Sequence, residues 1–307
     1  MPGEAPSRAR IAAALLVVYV VWGSTYLGML LAIRTIPVFL MAGVRFVLAG
    51  SILYALASKR EGGPRPTLRQ WGAAALVGIL LFGIGNTAVA WAEKRVATGI
   101  ASLVIATVPL WMALFDRIAC GRRLGRNAVV GLAVGFGGAA LLAWPSGGGR
   151  VDALGAIVLV GSAVAWAAGS LRSRRATLPG RPLAGSAMQM LVAGVLLLVV
   201  SAAAGEPQRV HHVSATSVLA VGYLVAFGSI LAFSAYAWLL RNTRTSLVST
   251  YAYVNPLVAV FLGWAIENEA VTARTLLAGV IILAAVALIG TPARVRERLA
   301  ALPARGR

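Results

Sequence analysis

Acidic side chains are scarce in this chain, which contains nine Asp and Glu residues against 28 Lys and Arg residues. Charged residues make up 12% of its 307 positions, whereas soluble domains carry about 25%. Hydrophobic residues account for 59% of the sequence. So little charge cannot cover a surface exposed to water, and the composition therefore predicts an integral membrane protein.

Cysteine and histidine are also nearly absent. The single Cys120 permits no internal disulfide and no cysteine metal site. His211 and His212 lie in a predicted loop without acid partners at metal-ligand spacing. No apolar run carries the His, paired Cys or paired carboxylates that chemistry within a membrane requires. The sequence therefore predicts no metal, no cofactor and no enzymatic activity.

Long apolar runs fill the chain instead. Windows of about 20 apolar residues mark membrane-spanning helices, and their short connections leave no room for a soluble domain. The first window is too long for the core of a signal peptide and is interpreted as a retained helix. Ten spans are predicted, near residues 11–33, 37–58, 70–92, 97–116, 127–144, 154–171, 183–204, 215–239, 246–265 and 273–291.

The basic residues predict the orientation of these spans through the positive-inside bias. With a cytoplasmic N-terminus, 21 of them lie in inner connections and tails, six lie in outer loops, and Arg45 lies within span 2. Both termini are therefore predicted to be cytoplasmic. This placement explains the net charge of +19 without nucleic acid as a partner. The excess of Arg over Lys is typical of GC-rich bacterial genomes, which favours a bacterial cell membrane.

The two halves of the chain repeat each other. Phe82-Gly83 in span 3 matches Phe227-Gly228 in span 8 at an offset of 145 residues. Five spans in each half is an odd number, so the second half starts from the opposite side of the membrane. We predict an all-α membrane protein of ten helices in two inverted five-helix repeats, residues 1–150 and 151–307.

Span 4 and span 9 are both interrupted by proline. Pro109 in the first copy and Pro256 in the second remove the hydrogen bond to the carbonyl four residues back, that of Ile105 or Ala252. In hydrocarbon such a carbonyl is tolerated only where it faces protein or a watery cavity. Broken spans at matching places in two halves therefore indicate a transport site near the membrane midplane.

The candidates for lining this cavity are polar, aromatic or proline residues of the spans. The alternatives are kinked helices packed by small residues and, for Trp and Tyr, anchoring at the membrane interface. The predicted cavity residues are Trp22, Tyr26, Asn86, Ser102, Pro109, Trp111, Trp166, Tyr251, Asn255 and Pro256.

Arg45 is the one charge placed clearly inside a span. It could bind a substrate carboxylate, tie span 2 to carbonyls of a neighbouring span, or extend to the membrane surface. A structural or gating role is favoured.

Acidic residues at the membrane midplane would indicate proton coupling. Glu93 and Asp116 lie near span ends, and Glu267 and Glu269 lie at the outer mouth, so none is at the midplane. A proton relay needs titratable groups inside the membrane. The positions of the acids therefore do not favour proton coupling, and exchange or passive transport is the alternative.

Small residues mark a packing surface on spans 5 and 10. Gly131 and Gly135 form a GxxxG motif in span 5, and Gly279 and Gly290 lie in span 10. Close packing of helices within the subunit is the first interpretation. A homodimer through spans 5 and 10 is the alternative.

The residues quoted so far, with the string Val21–Tyr26 and the pair Arg45-Phe46, resemble the EamA-type transporters of the drug/metabolite transporter superfamily. The resemblance covers nearly the whole chain. It implies two inverted five-helix repeats, a central cavity lined by spans 1, 3, 4, 6, 8 and 9, and transport of small metabolites, often amino acids. Family members often carry a Gly-Glu pair about 13 residues after the proline. Glu269 fits that position, with Asn268 replacing the Gly, whereas Arg122 follows Gly121 in the first copy.

The leading hypothesis is a secondary transporter, in the exporting direction, of small polar or amphipathic metabolites such as amino acids. Efflux of cationic drugs is the first alternative, because the tryptophans could make cation–π contacts, although span 1 offers no carboxylate. Sugar phosphates would need several inward basic residues, and only Arg45 qualifies. A non-transporting scaffold or sensor would be excluded if substitution of Asn86 and Asn255 abolished flux while leaving the fold intact.

Overall fold

The structure is a computed structural model that describes residues 7–60, 64–120, 126–143, 152–243, 245–248 and 250–290, and its regular elements there are helical. In chain order these are α1 (Arg8–Ala32), α2 (Val38–Arg60), α3 (Leu68–Gly78), the π-helical segment π1 (Ile79–Asn86), α4 (Thr87–Ala92), α5 (Thr98–Ile105), α6 (Val108–Cys120), α7 (Arg126–Ala143), α8 (Ala153–Arg175), α9 (Pro182–Ala203), a 3₁₀ turn (Pro207–Arg209), α10 (Ala215–Tyr223), the π-helical segment π2 (Leu224–Leu231), α11 (Ala232–Asn242), α12 (Thr245–Val248), α13 (Tyr251–Glu267) and α14 (Ala273–Gly290).

Much of the described chain is organised as long apolar helices. Three shorter apolar helices, of 10 to 17 residues, are Val129–Leu141, Tyr251–Glu267 and Ala273–Leu288. Seven segments of the described residues are long and apolar enough to cross a membrane, namely Arg8–Ala32, Val38–Arg60, Leu68–Ala92, Thr98–Ile118, Ala153–Arg175, Leu183–Ala203 and Ala215–Leu239.

Large apolar side chains cover much of the outer surface of the bundle. Leu16, Val199, Leu219, Phe261 and Val280 are each at least 60% exposed. They lie on five different helices, whereas soluble monomers rarely expose large apolar patches. The exposed side chains fit a lipid environment, and the chain is a multi-pass membrane protein.

Glycines let α2 and α9 approach closely. A Cβ atom on Gly194 of α9 would lie 2.7 Å from the Val47 amide nitrogen of α2, and one on Gly50 would lie 2.9 Å from the Leu191 amide nitrogen of α9. Small residues at a helix contact replace side-chain volume with backbone contact, which stabilises helix pairs in membranes. These two helices therefore form a tightly packed pair in the core.

The glycines of the predicted packing surface on α7 lie inside the subunit. A Cβ atom on Gly135 would lie 3.1 Å from the Cβ of Ala285 on α14, and one on Gly138 would lie 2.9 Å from Ile282 Cγ1. These contacts agree with the first interpretation of the motif, packing between α7 and α14 of one chain. The homodimer through the same helices stays a prediction.

The fourth span is interrupted before its proline. Helix α5 ends at Ile105, and α6 begins at Val108, so Pro109 lies in the first turn of α6. A proline is well tolerated there, because the first N–H groups of a helix have no intrahelical partner. The Thr107 hydroxyl donates to the Val104 carbonyl at 2.6 Å within the break. The expectation that Pro109 breaks a continuous helix is corrected: the helix is already interrupted at 106–107.

The ninth span has both a break between two helices and a proline inside a helix. The residues of α12 precede a break, and Pro256 lies inside α13, six residues into the helix. The Thr250 hydroxyl donates to the Leu247 carbonyl at 2.6 Å, which repeats the Thr107 contact of the fourth span. Gly121 and Arg122, which occupy the position of the family's Gly-Glu pair in the first copy, lie outside the described residues.

Candidate functional site

Two spans lose α-helical geometry near their middle. π1 interrupts the span Leu68–Ala92, and π2 interrupts the span Ala215–Leu239, at an offset of 145 residues. A π-helix makes hydrogen bonds from residue i to i+5, and such turns are frequent at functional sites. Each segment contains one of the two Phe-Gly pairs that carry the sequence repeat. The repeat in sequence therefore coincides with a repeated change of backbone geometry.

Arg45 on α2 joins these two segments. Its Nε donates to the Ser229 hydroxyl of π2 at 3.0 Å, and its Nη1 donates to the Asn86 Oδ1 of π1 at 3.1 Å. Arg45 is 4% exposed. Its guanidinium therefore lies inside the bundle, and the alternative that it extends to the membrane surface is wrong. Its observed partners are side chains of the π segments, whereas the expected structural partners were backbone carbonyls.

Gly228 makes room for this arrangement. A Cβ atom at Gly228 would lie 3.0 Å from Thr25 Cγ2 and 3.4 Å from Arg45 Nη2. The Gly228 carbonyl accepts a hydrogen bond from Trp22 Nε1 at 3.2 Å. The second Phe-Gly pair of the repeat thus brings α1, α2 and π2 together at one point.

An aromatic cluster extends from this point through the bundle. Trp22 contacts Phe233 at 5.2 Å and Tyr236 and Tyr251 at 5.1 Å between ring centroids. Phe82 of π1 contacts Phe233 at 5.6 Å, which connects the two spans that carry the π segments. Neighbouring rings at such distances gain more than their burial alone. The cluster comprises Trp22, Phe46, Phe82, Trp166, Phe233, Tyr236 and Tyr251.

Three of the predicted cavity residues, Trp22, Trp166 and Tyr251, belong to this cluster, and Asn86 lies beside it through Arg45. Trp166 reaches the cluster across the backbone of π1, where a Cβ atom on Gly85 would lie 3.0 Å from its ring. The Ser162 hydroxyl, also on α8, donates to the Gly85 carbonyl at 2.5 Å. Helix α8 is therefore fixed against π1.

Asn255 joins α13 to α1. In the amide orientation that satisfies its neighbours, its nitrogen donates to the Tyr251 carbonyl at 3.1 Å and to the Tyr19 carbonyl at 3.2 Å. The Tyr19 hydroxyl is hydrogen-bonded to the Thr250 hydroxyl. Tyr26, the remaining candidate of α1, is partly buried and packs against the main apolar core. The amide nitrogen of Asn255 therefore connects α13 to α1 through the Tyr19 carbonyl.

The candidates of the fourth span have other neighbours. Ser102 is 1% exposed, and its hydroxyl donates to the Gly99 carbonyl of its own helix at 2.7 Å. Trp111 packs against Phe136 of α7, with ring centroids 4.7 Å apart. Trp111 also shares a small apolar cluster with Trp166.

Pro256 faces a groove on the surface of the bundle. This groove of about 420 Å³ between α13 and α14 is apolar and includes the exposed side chains of Leu257, Phe261 and Trp264. Its position and lining fit contact with lipid acyl chains, and it does not contain Arg45 or the aromatic cluster. The buried contacts of Arg45 with Asn86 and Ser229 are therefore the better candidate for a functional site.

Carboxylates hold together the end of the bundle at which α1 and α13 finish. Glu269 accepts hydrogen bonds from the Thr98 amide at 2.7 Å, the Thr98 hydroxyl at 2.9 Å and the Gly99 amide at 3.2 Å, at the N-terminus of α5. Glu206 accepts from the Leu40 amide at 2.8 Å at the N-terminus of α2. A carboxylate at a helix N-terminus satisfies free N–H groups and complements the helix dipole.

Ion pairs add to these contacts at the same end. Arg34 after α1 forms an ion pair with Glu267 of α13. Arg95 pairs with Asp152 at 2.6 Å, where Asp152 also caps α8 by accepting from the Leu154 amide at 3.0 Å. The hydrogen bond from Arg95 and that from Leu154 hold the pKa of Asp152 below its usual value.

Glu93, at the same end, has no such partner. It is 1% exposed, and neither of its carboxylate oxygens has a hydrogen-bond partner in the part of the chain that the structure describes. Sequence reasoning placed Glu93 near a span end and missed its burial. The only indication of its burial in the sequence is that a single acid directly follows the apolar run of span 3.

The sequence profile of the EamA-like transporter family matches the chain twice, at residues 9–144 and 153–291. The chain belongs to the EamA-like transporter family. An inner membrane transporter of Escherichia coli strain K12 named YedA, described as uncharacterized, is 42% identical over 277 residues, which cover 89% of this chain and 88% of that protein. Family membership and this relative identify a membrane transporter and not an enzyme.

More distant relatives of the family cover the chain almost completely. A probable terminal-alkyne amino-acid exporter of Streptantibioticus cattleyicolor is 27% identical over 299 residues, covering 95% of this chain and 97% of that protein. A solved crystal structure with 22% sequence identity covers 95% of this chain and 99% of its own, with a TM-score of 0.65. This last likeness establishes the fold alone.

Proposed function

We propose that this protein is a secondary transporter of small amphipathic metabolites, of the amino-acid type, that works in the exporting direction. Its ten helices form two inverted repeats, residues 1–150 and 151–307, with both termini in the cytoplasm. The observation that carries the proposal is the buried contact of Arg45 with Asn86 and Ser229, because it joins the two π segments at matching positions of the two halves.

The chemistry of this region suits a molecule with a polar head and an apolar side chain. Arg45 is a buried cation that can bind a carboxylate, and buried charges inside membranes commonly serve such functions. The aromatic cluster that contains Trp22 and Tyr251 offers an apolar wall beside it. A relative named as a probable amino-acid exporter supports the same substrate class.

The geometry also offers a means of alternating access. A π-helical turn is less regular than an α-helix, and such turns in membranes are tolerated where neighbouring groups satisfy the backbone. In π1 the Thr87 hydroxyl donates to the Phe82 carbonyl at 2.9 Å. We infer that π1 and π2 are the places where the two halves rock against each other when the central site changes the side to which it opens.

The substrate is sought first by binding and then by flux. The purified protein is screened by thermal shift against amino acids, nucleosides and cationic dyes, because a ligand at 100 times its Kd stabilises a protein by about 2.7 kcal/mol. A compound that raises the melting temperature is then tested for movement across proteoliposome membranes. Stabilisation by amino acids supports the proposal, and stabilisation by cationic dyes alone supports the alternative of drug efflux.

Two variants test whether substrate flux depends on the contact of Arg45 with Asn86. Asn86→Ala should abolish most flux while leaving the helical content unchanged, since it leaves Arg45 without one of its partners. Leu219→Ala is the matched control, because Leu219 is 73% exposed on the bundle surface, and it should retain flux. Equal flux from both variants would contradict the placement of the site.

A further inference from the structure

Glu93 is a buried carboxylic acid whose oxygens receive no hydrogen bond from the described residues. Among the described residues, its Oε1 and Oε2 are the buried side-chain oxygens without a hydrogen-bond partner. The carboxylates of Glu206 and Glu269, at the same end of the bundle, both accept hydrogen bonds from backbone amides. Buried polar groups normally have partners, and an ionised carboxylate without any is costly. Burial without a hydrogen-bond partner therefore favours the neutral form of the Glu93 carboxyl in this conformation.

The titratable groups around Glu93 come from several elements. Tyr26 of α1, Arg45 of α2 and Glu269 interact electrostatically with its carboxyl. The negative charge of Glu269 disfavours ionisation of Glu93, whereas Arg45 favours it. Arg45 donates to Asn86 and Ser229, and no hydrogen bond connects it to Glu93. Glu93 is the first residue after the span Leu68–Ala92, and burial raises the pKa of its carboxyl well above the usual value.

A metal ion is a poor occupant for this place. Hard cations such as Ca²⁺ take six to eight oxygen ligands. Within the described residues, no group of three or more His, Cys, Asp and Glu side chains could hold a metal ion. A proton needs one carboxylate oxygen and no further ligand, so it is the ion that fits.

Burial of Glu93 depends on closure of this end of the bundle. The Arg34–Glu267 pair, the Arg95–Asp152 pair and the Glu269 cap connect the elements around it. Opening of the end would separate these contacts and admit water to the carboxyl. In water the pKa of a glutamic acid is about 4.3, so the open form would be ionised at neutral pH.

We propose that the Glu93 carboxyl is a proton-binding site that controls opening of this end of the transporter. Binding of the proton stabilises the closed end, and release of the proton stabilises the open one. Because the closed form binds the proton more tightly, opening becomes more favourable as pH rises through the interval between about 4.3 and the raised pKa of the closed form. This inference rests on the proposed alternating access, in which the end must open during each cycle.

The protonation state is measured directly on the wild-type protein. Infrared spectra of protein labelled with ¹³C at the glutamate carboxyl carbon should show a band of a protonated glutamic acid at neutral pH. Glu93→Gln should lack this band, and Glu206→Gln, the matched control at the same end, should retain it. Absence of the band from wild-type protein at neutral pH would overturn the inference without any transport assay, so this result differs from a failure to find flux.

Opening is measured by labelling a cysteine beside Glu93. Val96 is 1% exposed and lies at the same end. Both cysteine variants are made in a Cys120→Ser background and labelled with a membrane-impermeant maleimide. The labelling rate of Val96→Cys is divided by that of Ala204→Cys, which lies at an exposed position. The ratio removes the effect of pH on the thiols themselves, since both cysteines ionise as pH rises. We expect the ratio of the two rates to rise about tenfold for each unit of pKa difference between open and closed forms.

Glu93→Gln keeps the neutral form and should make this labelling ratio low and independent of pH. Glu206→Gln should keep the wild-type pH response. If Glu93→Gln does not fold, Glu93→Asp provides the second test, since it should preserve the pH response with a shifted midpoint. A pH response that persists in folded Glu93→Gln would overturn the control of opening by this residue.

Discussion

The Glu269 carboxylate caps the helix that begins at Thr98, accepting a hydrogen bond from the Thr98 amide at 2.7 Å. The two residues are 171 positions apart in the chain. The contact explains why an acid is found at this position after the second proline helix: it supplies the N-terminal cap of α5, whose own N-cap, Ala97, has no side-chain hydrogen bond. The acid of one half therefore stabilises a helix of the other.

Replacement of Glu269 by Ala should destabilise the protein by about 2 kcal/mol, because it leaves partly buried amides at the N-terminus of α5 without acceptors. The measurement is the melting temperature of purified protein in detergent. Glu267→Ala is the control, since its partner Arg34 has a half-exposed side chain, and surface pairs contribute about 0–1 kcal/mol. An equal loss from both variants would contradict the capping role.

Gly263 of α13 should not tolerate a larger residue. A Cβ atom there would collide with Glu269 Oε2 and lie 2.6 Å from the Thr98 hydroxyl oxygen. Gly263→Ala should therefore displace the cap and lower the melting temperature to a similar degree as Glu269→Ala. Gly222→Ala of α10 is the matched control, because no atom of the described residues lies within 4 Å of its added Cβ. In the double variant Gly263→Ala/Glu269→Ala the two losses should be less than additive, and full additivity would count against a shared cause.

Asn268 ends α13 in the left-handed region, with a φ of 52°. Glycine adopts this conformation without strain, and Asn adopts it more easily than other residues with a side chain. Asn268→Gly should therefore leave the melting temperature unchanged or raise it slightly. Asn268→Val should lower it, with a cost of about 1–2 kcal/mol. Thermal unfolding of the two variants side by side is the test, and tolerance of Val would show that the turn is not held in this conformation.

Arg45 should be sensitive even to a conservative change. Lysine keeps the positive charge but cannot donate to Ser229 and Asn86 in the fixed geometry of a guanidinium. Arg45→Lys should therefore lose most of the flux of a substrate identified by the thermal-shift screen, with a smaller loss of stability. Flux into proteoliposomes is the measurement, with the amount of correctly folded protein checked by size-exclusion chromatography. Wild-type flux from Arg45→Lys would exclude a role that depends on both hydrogen bonds.

The long apolar helices and the inward position of Arg45 could be predicted from the sequence. Membrane insertion favours apolar windows of limited length, and a charge within such a window almost always faces the interior. The sequence also identifies Asn86 as a polar residue deep in a span. Its partnership with Arg45, and the part of Ser229, depend on how three helices pack and have no local signal.

Backbone geometry was only partly accessible from the sequence. The matching Phe-Gly pairs marked the positions of π1 and π2, but nothing in their composition distinguishes a π-helical from an α-helical turn. Proline indicated the region of the fourth break and misplaced it, since Pro109 suits the first turn of a new helix. Asn268 occupies the position at which the family often has glycine, and Asn and Gly are the residues that most easily adopt the left-handed conformation observed there.

The environment of Glu93 could not be predicted, for a physical reason. An acid directly after an apolar run is usually solvated, and its burial here results from contacts between elements far apart in the chain. The residues that close the space around it, such as Glu269, are distant in sequence. Burial of a single side chain at a helix end is therefore a property of tertiary packing alone.

The irregular turn of π1 has a consequence for everything that follows it in the span. Successive residues of an α-helix are rotated by about 100° about the axis, and a π-helical turn holds about one more residue than an α-helical turn. If Ile79–Asn86 became α-helical with the same number of residues, the part of the span that follows would therefore be turned by about that amount. The amide of Asn86 would then point away from α2, and the acid at position 93 would face a different neighbour. One residue of length in this turn thus determines the angular alignment between the cationic centre of the bundle and the acid at its end.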